Sequence, residues 1–290
     1  MDIPKKQLKN GFSISEIWFW TWLMWGRTTR DMNNDDQRDI EAIQYAISRW
    51  MTCFDSAEMY AGWYSETLLW KAIEWYKRED LFISSKVRWD NCSYNATKKA
   101  CLNSLKRLDT EYIDLYYIHW RDEQFDLKET MKALCELVDE WYIKYIWVSN
   151  FSVKSLQQAQ KYSRYPIVAN QVHFNLRCRE SVVSGLSEFC EKNDIMLVAW
   201  RPFEYWNFVT SENRELFDGL CEKYNKTPFQ ISLNWIISHQ NTVTLFKSST
   251  YRNIDENLWA LWWELEQVDI ELLRKDFSWQ IDISDAVPLA

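Results

Sequence analysis

Eight short apolar runs recur at nearly even spacing along this chain of 290 residues, and they alternate with helix-like stretches. The runs cover residues 16–22, 51–57, 81–87, 112–120, 145–151, 167–174, 195–203 and 242–249. Near-continuous apolar strands that alternate with amphipathic helices are typical of parallel strands covered by helices. Eight such strands predict an α/β fold, the (β/α)8 TIM barrel, rather than an open sheet.

The segments around these runs predict a simple organisation. Residues 6–16 are expected to form a short N-terminal β-hairpin, because Asn10 and Gly11 make a favoured two-residue turn. This hairpin would close the bottom of the barrel. No linker rich in Pro, Gly or Ser interrupts the series of runs, so residues 1–290 are expected to form one domain.

The composition argues against several classes of protein. A net charge of −8 and a pI near 5.1 disfavour nucleic-acid binding, which requires a basic face. No apolar run reaches the length of about 18 residues that a membrane span needs. The N-terminus lacks the apolar stretch of a signal peptide, and the seven cysteines form no CxxC pair. We therefore expect a cytoplasmic protein with reduced thiols, no metal site, and a monomeric or weakly oligomeric state.

Polar side chains end almost every one of the apolar runs. In a barrel of this type the active site lies at the carboxyl ends of the strands. Read in chain order, those ends carry Asp55, Lys86, His119, Ser149, Asn150, Gln171, Trp200, Lys247 and Ser248. A purely structural strand has no reason to finish in this way, so the residues are expected to converge on one site.

Four of these groups suggest acid catalysis on a carbonyl compound. A tyrosine hydroxyl has a pKa near 10, and Tyr60 follows Asp55 in the next loop. The ammonium of Lys86 would lower the pKa of Tyr60, and Asp55 would hold Lys86 in place and keep it protonated. His119 would orient the substrate oxygen. Such a site can protonate an oxyanion as it develops.

The electron pair for reduction must then come from a cofactor. Trp200 offers a flat surface for a nicotinamide ring, and Ser149, Asn150 and Gln171 offer hydrogen bonds to its carboxamide. Neither a GxGxxG turn nor a phosphate-binding P-loop is present, so the cofactor would not be held as in those folds.

Other interpretations of the same residues stay open. Taken singly, an Asp, Tyr, Lys or His is more often a packing or surface residue than a catalyst. Asp55 with Glu58 is a weak glycosidase pair, since one loop rarely carries both carboxylates that flank the bond. Lys86 is a distant candidate for a Schiff-base aldolase.

The motifs, taken together and in order, resemble the aldo-keto reductase superfamily from about residue 7 to 275. The matching segments are "FDSAEMYAG", "SSKV", "DLYYIHW", "VSNFS", "ANQVHFN", "AWRPF" and "FKSS". The resemblance implies a reductase that converts an aldehyde or ketone to an alcohol with NADPH, or with NADH in its place. It implies a catalytic tetrad of Asp55, Tyr60, Lys86 and His119. The implied cofactor contacts are Thr21, Asp55, Ser149, Asn150, Gln171, Trp200, Lys247, Ser248, Arg252, Glu256 and Asn257. The rival that the resemblance leaves open is a cofactor-binding regulatory protein, similar to the potassium-channel β subunits.

The resemblance is incomplete in the segment of the chain that would bind the 2′-phosphate of NADPH. The arginine that usually grips this phosphate falls on Asn253, with Arg252 one place earlier. One charge-assisted bidentate contact is therefore missing, and we expect only a modest preference for NADPH over NADH.

Tryptophan stands at many positions where the family usually has glycine. The chain has 19 Trp and only 5 Gly, whereas average usage predicts roughly 20 glycines. The positions are Trp18, Trp20, Trp50, Trp63, Trp70, Trp75, Trp141, Trp147, Trp206, Trp259 and Trp262, with Trp25 a further candidate. Trp50, Trp75 and Trp141 follow helical patterns, where a left-handed backbone favours glycine, and Trp20 would crowd the nicotinamide.

Our hypothesis is that these codons are UGA, which some bacterial lineages read as glycine and which was translated here as tryptophan. The alternative is a protein that is rich in tryptophan by nature or by design. The gene sequence separates the two, because UGG codons at these positions would refute the hypothesis.

Overall fold

The computed structural model describes residues 2–204, 208–275 and 279–290, and it contains a closed barrel of eight parallel strands. The barrel strands are β3 (Ile17–Trp20), β4 (Cys53–Asp55), β5 (Phe82–Val87), β6 (Ile113–Ile118), β7 (Ile143–Ser149), β8 (Ile167–His173), β9 (Met196–Trp200) and β10 (Thr242–Phe246). The last strand pairs with β3 and closes the barrel. The predicted (β/α)8 fold is confirmed. Seven strands fall inside their predicted runs, and β7 begins two residues earlier than expected.

A two-stranded antiparallel hairpin precedes the barrel, as predicted. Its strands are β1 (Lys5–Gln7) and β2 (Ser13–Ser15). Leu8 and Phe12 in the connecting turn pack against inward-facing side chains of the barrel, among them Trp18 and Trp147. The rings of these two tryptophans meet edge to face at 5.7 Å, and both side chains are fully buried. The hairpin and this aromatic pair close the amino-terminal end of the barrel.

Helices cover the outside of the barrel between successive strands. They are α1 (Asp36–Ser48), α2 (Tyr64–Ile73), α3 (Tyr94–Arg107), α4 (Leu127–Asp139), α5 (Val153–Tyr162), α6 (Glu180–Val183), α7 (Leu186–Lys192), α8 (Arg214–Tyr224), α9 (Pro228–Ile237), α10 (Tyr251–Leu258) and α11 (Gln267–Arg274). Local sequence explains where several begin. Asp126 caps α4 by accepting a bond from Lys128 N, and Thr227 and Gln230 form a reciprocal capping box at α9. None of the helices among the described residues is long and apolar enough to cross a lipid bilayer.

Several tryptophans have a backbone conformation that suits glycine. Five have φ between 62° and 72°, namely Trp25, Trp50, Trp63, Trp141 and Trp262. For an L-residue with a side chain, the left-handed conformation costs roughly 1–2 kcal/mol. The expected left-handed backbone is therefore confirmed at Trp50 and Trp141.

The prediction is wrong at Trp75, which is not left-handed. Helix α2 continues there into a turn, with Glu74 still right-handed at φ −55° and a bond from Tyr76 N to Ile73 O. Trp18 and Trp147 lie in strands, Trp147 where the register of β7 with β8 shifts, and Trp70 lies in a helix. None of the three has positive φ, so their backbones make no special demand for glycine. Trp206 lies outside the described residues.

Candidate active site

Three parallel strands carry the predicted catalytic residues to the same end of the barrel. Asp55 is the last residue of β4, Lys86 is near the end of β5, and His119 directly follows β6. Asp55 pairs with Ser84 on the neighbouring strand β5, and Lys86 lies two residues further along that strand. Tyr60 lies in the loop after β4. The structure thus brings all four residues of the expected tetrad together.

Lys86 and Asp55 form an ion pair inside the barrel wall. Lys86 Nζ donates to Asp55 Oδ2 at 2.6 Å and to the carbonyl of Ser56 at 2.6 Å, and both side chains are fully buried. Burial lowers the pKa of Lys86 to about 8, and the Asp55 carboxylate opposes that change. Lys86 remains mostly charged at neutral pH.

Two further hydroxyl groups hold the Asp55 carboxylate. Ser84 Oγ donates to Asp55 Oδ1 at 2.6 Å, and Tyr117 OH donates to the same oxygen at 2.7 Å. Sequence reasoning missed both residues. The alternation of β6 was the available signal, since Tyr117 lies two residues before His119 and faces the same side of the strand. These bonds fix the carboxylate that orients Lys86.

Tyr60 lies directly against this ion pair. Lys86 Nζ is 4.6 Å from the centre of the Tyr60 ring, and Trp20 Nε1 donates to the Tyr60 hydroxyl at 3.0 Å. Burial raises the pKa of Tyr60 well above its usual value, and the negative charge of Asp55 adds to this rise. The predicted lowering of the Tyr60 pKa is therefore wrong, because desolvation of the buried phenol and the negative charge of Asp55 both disfavour the phenolate.

His119 is a half-buried, neutral imidazole. Its ring centre is 5.6 Å from that of Tyr60. Burial lowers the pKa of His119 well below its usual value, and the charge of Lys86 lowers it further. His119 Nδ1 is buried and has no hydrogen-bond partner. A neutral ring in this position can orient a polar ligand atom without carrying charge.

Tyr60 and His119 line a cavity of about 270 Å³ at this end of the barrel. The predicted nicotinamide contacts Ser149, Asn150, Gln171 and Trp200 line the same cavity. They are joined by hydrogen bonds: Trp200 Nε1 donates to Asn150 Oδ1 at 3.1 Å, and Asn150 Nδ2 donates to Ser149 Oγ at 3.0 Å. Gln171 Nε2 is buried without a partner.

The ring of His173 packs against the ring of Trp200. Sequence reasoning did not single out His173. The two rings stack with centres 4.6 Å apart, and His173 Nε2 bonds to Glu204 Oε2 at 2.8 Å. Glu204 also pairs with Arg177 at 3.4 Å and with Arg201 at 3.6 Å. These cations neutralise the Glu204 carboxylate, and the cluster orients Trp200.

The remaining predicted cofactor contacts form a second group on β10 and α10. Lys247, Ser248, Arg252, Glu256 and Asn257 do not line the cavity. The Ser248 hydroxyl bonds to Thr250, and Arg252 is exposed.

A cation from the first helix also lies at this second group. Arg38 Nε on α1 donates to the carbonyl of Ser249 at 3.1 Å. The pKa of Lys247 is lowered, mainly by desolvation. The positive charge of Arg38 adds to this decrease, and the negative charge of Asp39 opposes it. The structure therefore adds Arg38 to the two cations, Lys247 and Arg252, that the sequence indicated.

Thr21 differs from expectation in its contacts, whereas Trp20 does not. Thr21 is fully buried and its hydroxyl donates to the carbonyl of Asp55 at 3.1 Å, so it supports the strand end and does not line the cavity. The Trp20 indole does line the cavity and reaches the Tyr60 hydroxyl. This agrees with the prediction that Trp20 crowds the nicotinamide space.

Comparisons with known proteins match this arrangement. The profile of the Aldo/keto reductase family covers residues 21–275. The glyoxal reductase of Bacillus subtilis (strain 168) is 36% identical over 202 residues, which are 69% of this chain and 70% of that protein. A thermostable aldo-keto reductase crystallised with the inhibitor epalrestat has a TM-score of 0.90 at 35% identity, covering 93% of this chain and 98% of that one. An aldo-keto reductase from Klebsiella pneumoniae in complex with NADPH has a TM-score of 0.82 at 26% identity, with 94% of each chain covered. The chain therefore belongs to the aldo/keto reductase family and is an NAD(P)H-dependent oxidoreductase.

Proposed function

We propose that this protein reduces an aldehyde or ketone to an alcohol with NADPH, and that Tyr60 is the proton donor. One observation carries the assignment of roles. The Tyr60 phenol and the His119 imidazole line one cavity, while the buried pair of Lys86 and Asp55 lies against the Tyr60 ring. The NADPH complex of a relative that is 26% identical supports the choice of cofactor, and NADH is the alternative.

The residues at the cavity suit a nicotinamide. The unpartnered Nε2 of Gln171 can bond the carboxamide oxygen, and Ser149 and Asn150 offer further polar atoms. The Trp200 ring offers a flat face for the nicotinamide to stack on. Lys247, Ser248, Arg252, Glu256 and Asn257 would hold the adenosine end. When bound, the cofactor supplies the hydride.

The protein's own groups would then manage the charge on the substrate oxygen. His119, neutral because of its low pKa, would hydrogen-bond the carbonyl oxygen and orient it. Tyr60 would hold its proton until an alkoxide develops, since an alkoxide is a much stronger base than a phenolate. The Lys86 ammonium would stabilise the phenolate that remains, and Asp55 would keep Lys86 in place.

The burial of Lys86 argues against the Schiff-base aldolase. Its side chain has no exposed surface and it does not line the cavity. Two of its N–H groups are bonded to Asp55 and Ser56, so the amine is not presented to a substrate. The regulatory alternative, a cofactor-binding protein with little turnover, is separated from a reductase by the rate measurement below.

Replacing Tyr60 with Phe tests the proposed role, because only the hydroxyl is removed. We expect carbonyl reduction, measured as NADPH consumption, to fall by about 10²–10⁴-fold, while the Kd for NADPH stays nearly unchanged. Tyr64→Phe is the matched control, since Tyr64 packs under Arg30 away from the cavity. Near-normal turnover by Tyr60→Phe would refute the assignment of the proton donor.

We also infer a cytoplasmic, monomeric or weakly oligomeric protein that forms one domain over residues 1–290. The seven cysteines are all free thiols, and six of them are buried, which is consistent with a reducing compartment. Fractionation of the source cells and sedimentation of the purified protein would test these inferences.

A further inference from the structure

Among the residues that the structure describes, the lining of the cavity beside Tyr60 contains two cations and no carboxylate. Arg27 and Arg201 contribute positive charge, and the apolar side chains Trp22, Met59 and Trp120 form part of the other walls. A guanidinium at the rim of such a cavity can form an ion pair with an anionic group of a ligand. The two arginines differ in how their charges are compensated.

Arg201 is already paired with acidic residues. Its guanidinium lies 3.6 Å from Glu204 and 3.4 Å from Asp285. Arg27 is different. Across residues 2–204, 208–275 and 279–290, its side chain has no hydrogen bond or ion pair, and it is exposed at the mouth of the cavity. Arg27 therefore carries the one uncompensated charge in the described part of the cavity lining.

The backbone holds Arg27 next to the catalytic loop. Gly26 has φ +126°, and a Cβ there would lie 2.2 Å from the carbonyl of Thr29, so only glycine allows this tight turn. The carbonyl of Arg27 accepts a hydrogen bond from Ala61 N at 2.6 Å, and Ala61 directly follows Tyr60. The loop that carries Arg27 is thus fixed to the loop that carries the proposed proton donor.

We propose that Arg27 selects carbonyl substrates that carry an anionic group, specifically a carboxylate. The inference rests on the proposed function of the cavity. The planar guanidinium can bind a carboxylate through two parallel N–H bonds, while the aromatic walls hold the carbon skeleton and Tyr60 and His119 meet the carbonyl oxygen. Because the nicotinamide would share this cavity of about 270 Å³, only a small aromatic or aliphatic oxo-acid would fit beside it.

The test compares 4-carboxybenzaldehyde with its methyl ester, which has nearly the same shape but no charge. With NADPH, we expect the acid to be favoured in kcat/KM by at least about tenfold, which is about 1.4 kcal/mol. Arg27→Gln should remove this preference by raising KM for the acid and leaving kcat and the ester nearly unchanged. Arg27→Lys should keep part of it.

Arg30→Gln is the matched control on the same loop. Arg30 pairs with Asp36 at 2.9 Å and lies over the Tyr64 ring, and it does not line the cavity. Its replacement should leave the acid-to-ester ratio unchanged. Equal kcat/KM values for acid and ester in the wild-type protein, or a ratio that survives Arg27→Gln, would overturn the inference.

A binding measurement separates this inference from the proposed function. Calorimetry on the protein without cofactor should show that 4-carboxybenzaldehyde binds at least about tenfold more tightly than the ester, equivalent to about 1.4 kcal/mol, and that Arg27→Gln abolishes the difference. If neither aldehyde is reduced but this difference is seen, the proposed reductase function fails and the role of Arg27 stands. If both aldehydes are reduced but no difference in binding is seen, the role of Arg27 fails alone.

Discussion

Five of the described helices end in the same backbone geometry but place different residues in its left-handed position, and in α8 that residue is Asn225, with φ of 52°. Helices α1 and α4 have Trp50 and Trp141 there, with φ of 66° and 63°. Helices α3 and α7 have Asp109 and Asp194, with φ of 45° and 58°. Asp enters the left-handed region more readily than bulky residues do, because its short polar side chain bonds locally. Tryptophan has no such means.

The hydrogen bonds show that the two tryptophan ends form the same motif as the others. In α1, Met51 N bonds to the carbonyl of Ala46 at 3.0 Å, and in α4 Tyr142 N bonds to that of Leu137 at 3.0 Å. Helices α3 and α7 make the corresponding bond at 3.2 and 2.9 Å. This is the motif in which the left-handed residue is usually glycine.

The two tryptophan side chains differ in what they gain from these positions. Trp141 is 83% exposed, so burial does little to offset its backbone cost of roughly 1–2 kcal/mol. Trp50 is 49% exposed, and its ring lies 5.9 Å from the Arg49 guanidinium, so the buried half of its side chain offsets part of that cost. The left-handed backbone at both positions is the pattern expected if glycine belongs there, as the UGA hypothesis states.

The largest expected effect comes from reverting both helix ends. Trp50→Gly with Trp141→Gly should raise the free energy of unfolding by up to about 2–4 kcal/mol, because each change removes about 1–2 kcal/mol of left-handed strain, with the larger share from Trp141, whose side chain is more exposed. Thermal and denaturant melts would measure the gain, together with the soluble yield. If the chain with all its tryptophans is already soluble and melts cooperatively, and if the reversion does not stabilise it, the hypothesis fails.

The aspartate end of α3 supplies the matched control for this measurement. Asp109→Gly changes the same kind of position in the same motif, whereas Asp194 is unsuitable because its carboxylate accepts bonds from Lys9 N at 2.8 Å and Asn10 N at 3.0 Å. We expect Asp109→Gly to change the free energy of unfolding by less than about 1 kcal/mol, because aspartate already tolerates this conformation. Equal gains from the aspartate and the tryptophan reversions would show that the motif, and not tryptophan, is the source of strain.

A smaller effect is expected at the mouth of the barrel, where Trp20 is expected to weaken NADPH binding. Trp20 lines the cavity and bonds to Tyr60. Trp20→Gly should tighten NADPH binding by at least about tenfold, equal to about 1.4 kcal/mol, with little gain in stability. Fluorescence titration would measure it. Micromolar NADPH binding by the unaltered chain would mean that Trp20 leaves the site open.

The last prediction concerns the residues that would bind the adenosine end of the cofactor. NADPH should be preferred over NADH by less than roughly a hundredfold, or 2.7 kcal/mol, because Asn253 replaces the usual arginine and only Lys247, Arg252 and Arg38 remain nearby. Dissociation constants for both cofactors would test this. Adenosine 2′,5′-bisphosphate, which lacks the nicotinamide, should bind equally well with and without Trp20→Gly.

The sequence allowed the tetrad to be predicted because strand ends are local features. Asp55, Lys86 and His119 each end an apolar run, and Tyr60 follows in the loop, so the convergence follows from the barrel topology alone. The sequence did not predict the contacts of Tyr117 with Asp55 or of His173 with Trp200. Those contacts join residues of different strands, and strand register and ring orientation decide them.

Local sequence by itself determined the number of strands, the helices between them, the N-terminal hairpin and the strand ends that carry the chemistry. It did so because apolar periodicity and turn residues act over a few neighbouring positions. Only the tertiary structure decided the raised pKa of Tyr60, the unpaired charge of Arg27 and the normal turn at Trp75. Burial, charge pairing and the exit path of a helix depend on groups that are distant in the chain and meet only when the barrel closes.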